Sequence, residues 1–575
     1  MDERFAPDAR HALWTLVWFA VMAVGINSWS SWSQWEGYAI AAPLVTLIGA
    51  GGIVAVWVVP TRWRARLEHV AMAVALVTVI VAYAPSMLAQ RFFNTDAAAF
   101  NQRAVVLLAH GHDPYRAVFH AANLALSNAP NYWTYLLNGG HVDQFSYPAG
   151  AFVLQLPLQL LGVTHLATNW LDLAAWLAAS LLLYRLAPPS VNWLAPLLLL
   201  TSVFTFSFAH GGTDALFVPF LLMAAYHWDD FVRPSAMRWS RSLSPVALGI
   251  ACSIKQTPWF AVPFFVLGIA HEARLEGVVV ARSVVRYLGW VALPFTVVNL
   301  PFALWSPGAW WRGVTLPLRE PLIPDGQGLV TLVTHGVVST LHPAQLQLGA
   351  ALAVVTLLIV VWRWYPAMKH AWLFALPLVL YLPSRSLSSY LVDFIPAAFI
   401  ASLTTRPVVN PRPRDPRSAW LMLGVAVTSF GLIVSSFLGS PLSVRVDHVK
   451  VTRVGLRFTK LEVTLVNHTS APIRPHVMVV VGSSHPVGFW DFVGHPGGVV
   501  LAPGMTERVW LRAPANAYTP ARHENWLVEV TSASPAFLVT SPARQWRRGP
   551  THSLSEERAL ASASTEPTTG EHVRG

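Results

Sequence analysis

The sequence predicts a polytopic α-helical membrane protein of about 13 spans, followed by a C-terminal all-β sandwich outside the membrane. Three observations predict it. Of 575 residues, 54% are hydrophobic and only 12% are charged. Soluble chains carry roughly 25% charge, so a globule of this size would lack the polar surface to stay in water. The apolar residues gather in runs approaching the roughly 20 that a membrane helix needs. From about residue 440 these runs give way to period-two alternation, the pattern of half-buried strands.

In chain order, spans are expected near 12–29, 37–60, 67–89, 166–186, 191–209, 213–228, 243–256, 258–271, 284–303, 343–363, 370–384, 389–405 and 418–439. The first, "HALWTLVWFAVMAVGINSW", follows a head with both acids and arginines and has no small-residue cleavage site. That pattern predicts a retained helix rather than a removed signal. Arg62, Arg64 and Arg66 follow the second span, and Arg233, Arg238 and Arg241 the sixth. Arg274, Arg282 and Arg286 follow the eighth, Arg363 and Lys369 the tenth, and Arg406, Arg412, Arg414 and Arg417 the twelfth. With the N-terminus inside, all five groups become cytoplasmic, as the positive-inside rule requires. Loops 90–146 and 304–327 then lie outside a plasma (inner) membrane.

This order holds only if the apolar stretch 147–163 enters and leaves on one side, as a re-entrant or interfacial helix; 328–341 reads the same way. Backbone of that kind must be shielded by protein or line a water-filled cavity, so a cavity on the outer side is expected. Residues 1–439 form the membrane module. Beyond them, "VRVDHVKVTRVGLRFTKLEVTLVN", "HVMVVVG", "VVLAPGMTERVWLRAP" and "NWLVEVTS" predict the strands of a sandwich over 440–545. Residues 546–575 lack an apolar period and read as a disordered tail. Cys252 stands alone, which excludes a disulfide framework and a thiolate metal site. The +11 net charge sits in short interhelical loops, where it reports orientation and argues against a nucleic-acid partner.

Asp172, Asp214, Lys255, Arg385 and Asp393 fall within or at the edge of predicted spans. A charge at a helix centre costs roughly 2.5–3.5 kcal/mol on insertion. In this topology all five lie toward the outer ends of their helices, which predicts a polar site at the outer leaflet. They join the most polar stretch of the first third of the chain, "RFFNTDAAAFNQRAVVLLAHGHDPYR", with Asp96, Arg103, Asp113 and Arg116. A transporter's ionisable groups usually lie near the midplane, between repeated halves. The one-sided arrangement here, without an internal repeat, favours chemistry at the membrane surface on a substrate held partly in lipid.

These residues resemble a known family. "TDAAAFNQRAVVLLAHGHDPYR" is similar to the first outer loop of the GT-C superfamily of membrane glycosyltransferases, closest to glycosyltransferase family 87, the polyprenyl-phosphate-mannose-dependent type. The matching residues are Asp96, Phe100 (where tyrosine is commoner), Gly111, Asp113, Pro114 and Tyr115. "FSYPAGAFVLQLPLQLLG", with Tyr147, resembles a Tyr-Pro-Pro segment, Ala149 replacing the second proline. "HGGTDALFVPFLLMAAY", with Asp214, stands where the family has a Gly-Gln-x-Asn/Asp helix start, and lacks the Gln. "GIACSIKQTPWFAVPF" matches the Gly…Lys-x-Thr/Ser-Pro segment through Lys255, Thr257 and Pro258. "LWSPGAWWRGVTLPLREPLIPDGQGL" resembles an Asp-Pro-Gly-Ala loop with Ser306 in place of Asp, and "PSRSLSSYLVDFIPAAF" the closing Tyr…Pro helix start. The likeness covers roughly 70–400 and omits the β region.

The resemblance implies a GT-C-like fold and transfer of a sugar from a polyprenyl-phosphate donor to a glycan or glycolipid acceptor outside the cytoplasm, with no cofactor and no obligatory metal. It places the catalytic base at Asp96. The alternative for Asp96 is a helix cap, a role that Thr95 can fill instead. Asp113, before Pro114, shapes a turn. Lys255 and Arg385 are suited to the donor phosphate, with Arg103, Arg116, Arg312 and Arg319 behind them. For Lys255 an ion pair with Asp214 or Asp172 is the competing reading. In the β region, Trp490, Trp510 and Trp526, with Phe489 and His485, suit either a carbohydrate-stacking face or a core, and Phe489 and Trp490 are expected to be the exposed pair. His110, His112, His120 and His141 share the first outer loop, but their spacing matches no familiar zinc motif. Two other functions fit the composition: a transporter or flippase for a lipid-linked sugar, and an envelope-assembly scaffold with a glycan-binding outer domain.

Overall fold

The computed structural model describes residues 7–32, 36–89, 93, 95–120, 133–164, 166–201, 214–407, 417–451, 458–481, 488–514, 519–520, 524–542 and 544–545. The tail 546–575, His485, Arg412, Arg414 and the second part, 202–209, of the span expected at 191–209 lie outside the described residues. The chain is mostly helical, with its long strands gathered after residue 440. The principal helices are α1 (Pro7–Trp32), α2 (Glu36–Val58), α3 (Arg64–Ala89), α4 (Asp96–Ala109), α5 (Ala167–Leu186), α6 (Val218–Ala225) and α7 (Arg238–Ile254). They continue as α8 (Val262–Leu275), α9 (Val280–Trp305), α10 (Pro307–Arg319), α11 (Pro343–Arg363), α12 (Ile395–Thr404) and α13 (Arg417–Ser435).

Among the described residues, 5 helices are long and apolar enough to cross a membrane: α1, α2, α3, α9 and α11. Several other stretches expected as spans are shorter, and proline is the local reason. Pro219, Pro263 and Pro396 stand in the first turns of α6, α8 and α12, where a missing N–H goes unneeded and the helix starts afresh. A one-turn 3₁₀ segment precedes α6 and another precedes α8. The bundle core holds Trp176, Trp228, Trp372, Phe264 and Phe265, all fully buried.

The 147–163 stretch is two short helical pieces, Gly150–Val153 and Leu156–Leu160, on which α4 packs. Ala97, Ala98 and Ala99 are buried, and their small side chains permit the close approach. Polar side chains tie the pieces to their neighbours: Gln102 Nε2 donates to Gln159 Oε1 (3.3 Å), and Thr168 Oγ1 donates to Gln155 Oε1 (2.9 Å).

Opposite ends of the bundle differ in character. The 17 residues of α7 span about 25 Å at the helical rise, from Arg238 to the turn at Lys255. Around the Arg238 end, Arg233 pairs with Glu276 (3.1 Å), Lys369 with Asp229 (3.1 Å) and Glu272 (2.8 Å), and Arg406 with Asp230 (3.4 Å). Basic loops from four separate connections therefore meet at one end, with Lys255 at the other.

Two sheets follow. One orders β4 (Leu442–Val451), β5 (Phe458–Asn467), β8 (Thr506–Arg512) and β7 (Asp491–Phe492). The other joins β6 (His476–Val481), β9 (Asn525–Ala533), β10 (Ala536–Thr540) and β11 (Arg544–Gln545). Val463 and Leu465 of the first share one apolar core with Val477, Val528 and Phe537 of the second. Two expectations need correction here. The second half of 328–341 is a strand, β2 (Thr340–Leu341), because the free edge of β10 pairs with it in the register Leu538↔Leu341. Trp490 is 2% exposed: its backbone N–H donates to Val477 O (2.7 Å) and Phe489 bridges Met478, and the indole lies in the core between the sheets. Trp526 is likewise buried. Phe489 packs edge-on against Tyr135 of the 90–146 loop (5.4 Å between centroids).

Candidate active site

The site is assembled at the Lys255 end of the bundle from residues far apart in sequence. Thr95 caps α4, its Oγ1 accepting from Ala98 N (3.2 Å). Asp96 is thereby released from capping and occupies the first helical position. Its Oδ2 accepts the Thr134 N–H (2.7 Å). Arg385 approaches the same threonine from another direction, Nη2 donating to Thr134 Oγ1 (3.2 Å). Arg385 is held in a two-residue parallel ladder, β1 (Asp325–Gly326) on β3 (Arg385–Ser386), with Asp325 opposite Arg385. Gly326 has φ +118°, and a Cβ there would run into Ser386 O, so the ladder requires glycine.

Lys255, 5% exposed, forms an ion pair with Asp214. Its ammonium lies between two rings, 5.4 Å from the centroid of Tyr147 and 5.6 Å from that of Tyr390, which adds cation–π attraction in a desolvated setting. Asp172 and Asp393 are within electrostatic reach of the same ammonium, as is Asp96. Asp393 is fully buried, and neither of its carboxylate oxygens has a hydrogen-bond partner among the described residues. For Lys255 the ion-pair reading therefore describes this structure, and Arg385 is the cation nearer to Asp96's loop partner. Burial first, and the Asp96 carboxylate second, push the Tyr135 phenol well above its ordinary value, so it stays a neutral hydrogen-bond donor beside that carboxylate.

The turn carrying Tyr147 is positioned by groups that sequence reasoning missed. Gln256 Nε2 donates to Ser146 O (2.7 Å) and Val314 O (2.9 Å), while Asn299 Oδ1 accepts from Ala149 N (2.9 Å). Tyr115, buried, donates its hydroxyl to Tyr147 O (2.8 Å). Gln256 neighbours Lys255 and Tyr390 lies inside the quoted "SLSSYLVDF", so both had a faint signal; Thr134 and Asn299 had none.

Four expected arginines are not brought to this cluster. Arg103 is half-buried on α4 and Arg319 is exposed at the end of α10, and neither contacts the cluster among the described residues. Arg116 lines a separate cleft beside Arg312. Asp113 builds its turn as expected: Oδ1 accepts Tyr115 N (2.9 Å), and Oδ2 accepts the Ser306 hydroxyl. Of the loop histidines, His110 bonds Val106 O (2.8 Å) and His141 packs tilted against Trp133 (4.5 Å between centroids). Among the described residues, one group has metal-like convergence, His227, Asp229 and Asp230. It lies at the opposite end, with its carboxylates already engaged by Lys369, Ser240 and Arg406. No protein-family model, curated protein or solved structure matches the chain.

Proposed function

We propose that this chain is an inverting glycosyltransferase that moves a sugar, mannose or similar, from a polyprenyl-phosphate donor to an extracytoplasmic glycan or glycolipid acceptor in cell-envelope synthesis. In this reading the membrane module has about thirteen spans, counting the short proline-divided helices, and is embedded in the plasma membrane. Its N-terminus is cytoplasmic, the Lys255 end faces outward, and the two sheets form a sandwich on the outer side. The meeting of the basic loops at the other end supports that orientation through the positive-inside rule.

One observation supports the chemistry above the others. Asp96 and Arg385 each bond Thr134 (2.7 and 3.2 Å): a half-buried carboxylate and a guanidinium share one loop residue. That pairing suits the two halves of the reaction. Asp96 takes the proton from the acceptor hydroxyl as its oxygen attacks the anomeric carbon. The bond from that carbon to the phosphate oxygen breaks on the opposite face, which inverts the centre. The electron pair leaves on the polyprenyl phosphate, whose growing charge Arg385 meets with a planar, bidentate donor. Lys255, neutralised by Asp214, lies beside Tyr147 and Tyr390, which wall the site.

The test uses purified full-length protein and a panel of polyprenyl-phosphate sugars, with free polyprenyl phosphate as the readout. Asp96→Asn is expected to keep donor binding and lose transfer by about two orders of magnitude or more, the scale of a general base. A normally expressed, fully active Asp96→Asn protein removes the assignment. Movement of a labelled lipid-linked sugar across a bilayer without cleavage would replace transfer by transport.

A further inference from the structure

A second site is built at the C-terminal end of α4, away from the helix start that bears Asp96. A cleft of about 490 Å³ opens there, lined among others by Arg116, Gln144, Trp305, Ser306, Gly308 and Arg312. Tyr115, whose hydroxyl bonds Tyr147 O, also lines it, but Asp96, Lys255 and Arg385 do not. Asp113 creates it: by accepting both Tyr115 N and the Ser306 hydroxyl, one carboxylate ties the "GHDPYR" turn to the first turn of α10. Arg116 and Arg312 are thereby set on the same opening. Both guanidiniums are exposed, and neither has an ion-pair or hydrogen-bond partner among the described residues. No acidic residue lines the cleft, so its two cations have no counter-charge among the lining residues, and an anion there is attracted by both.

The surroundings specify what kind of anion. The cleft lies where α9, one of the helices long enough to cross a membrane, ends at Trp305. Trp305 lines it, and Leu304 and Trp311, each next in the chain to a lining residue, are exposed with it (45%, 72% and 57%); an exposed apolar rim with tryptophan is the usual composition of a bilayer interface. A ligand that suits both the rim and the guanidiniums has a phosphoryl group joined to an apolar tail. We propose that Arg116 and Arg312 form an anion site that binds the headgroup phosphate of an anionic lipid, separate from the site of sugar transfer.

The experiment reads lipid retention, so its failure leaves the transfer reading untouched. Full-length protein in detergent is titrated with phosphatidylglycerol or phosphatidylcholine, and retained lipid is counted by native mass spectrometry. Arg116→Gln/Arg312→Gln is expected to weaken phosphatidylglycerol retention by about tenfold, the loss of one strong charge-assisted contact or more. Phosphatidylcholine retention should be unchanged. Arg312→Lys, which keeps the charge and guards against misfolding, should weaken retention several-fold, because an ammonium lacks the planar fork. The charge-matched control Arg62→Gln/Arg66→Gln at a separate loop should leave it unchanged. Equal loss in the control and the cleft variant, or wild-type retention in the cleft variant, overturns the proposal. A parallel titration with inorganic phosphate separates the sources: tight binding of free phosphate, lost in the double variant and accompanied by no lipid preference, overturns the lipid assignment.

Discussion

Thr134 joins the two charged groups of the candidate site in different ways, its backbone to Asp96 and its side chain to Arg385. Thr134→Ala keeps the N–H and removes only the hydroxyl. Arg385 meets charge that grows in the transition state, so kcat is expected to fall by about tenfold, because a hydrogen bond to a charged group contributes roughly 1.5–3 kcal/mol. A steady-state comparison of kcat and donor KM checks this; a rise in KM with kcat unchanged would show that Arg385 acts only in ground-state binding. Gln256 is a harsher case. Its amide satisfies two buried carbonyls, Ser146 O and Val314 O, and Gln256→Ala leaves both unpaired. The expected destabilisation is about 2–4 kcal/mol, read as a lower melting temperature alongside a Tyr147 turn that no longer holds its place.

At the scale of elements, the site depends on how closely α10 lies on the 90–146 loop. Gly313 is the point of contact: a Cβ there would meet Phe145 O and the Tyr115 ring. Backbone cannot swing aside as a flexible side chain can, so Gly313→Ala must push α10 outward. The expected cost is about 1–3 kcal/mol, typical of overpacking, with loss of transfer because Tyr115 no longer supports the Tyr147 carbonyl. Thermal unfolding together with turnover checks this; an unchanged melting temperature would show that α10 shifts freely. Proline acts at the same scale. By restarting helices at Pro219, Pro263 and Pro396, the chain places non-helical backbone beside Lys255 and Asp393, where polar groups can face a cavity.

Across the whole molecule, the sheets are part of the helical module's surface. Met478 packs with Tyr135, Leu137 and Ile323, and β2 completes the sheet at β10. A fragment covering 440–545 would expose Met478 and Leu538, so we expect it to show β-type circular dichroism yet bind a hydrophobic dye and self-associate; a monomeric, dye-silent fragment would refute the shared interface. Glu529 on β9 lies in that interface, fully buried, its oxygens without hydrogen-bond partners among the described residues. Burial first, and Asp325 second, push its carboxyl up from 4.5 to about 8. Folding therefore takes up a proton between those values, and stability falls as pH rises through that window. The loss by pH 8 is on the order of a few kcal/mol. Glu529→Gln should flatten this slope and raise the melting temperature at pH 8; an unchanged slope would show that Glu529 is not its source.

Features written in neighbouring residues could be read from the chain alone. Long apolar runs mark α1, α2, α3, α9 and α11; Thr-Asp marks the start of α4 with Thr95 as its cap; Asp113 before Pro114 marks the turn; and alternation marks β4, β5, β6, β8 and β9. Each rests on period, capping or turn chemistry acting over a few residues. The composition of the site could not be read this way. Asp96 meets a loop residue 38 positions on, and Arg385 meets the same residue across 251. Lys255 could have served a phosphate or a carboxylate, and packing chose Asp214. Arg116 and Arg319 stood behind Arg385 as phosphate candidates in sequence, and only Arg385 is held by a strand ladder against the base's loop. A buried charge settles on whichever counter-group the fold brings within reach of it, because desolvation makes any unpaired alternative expensive. That choice depends on which helices and loops are neighbours in space, which no local pattern encodes.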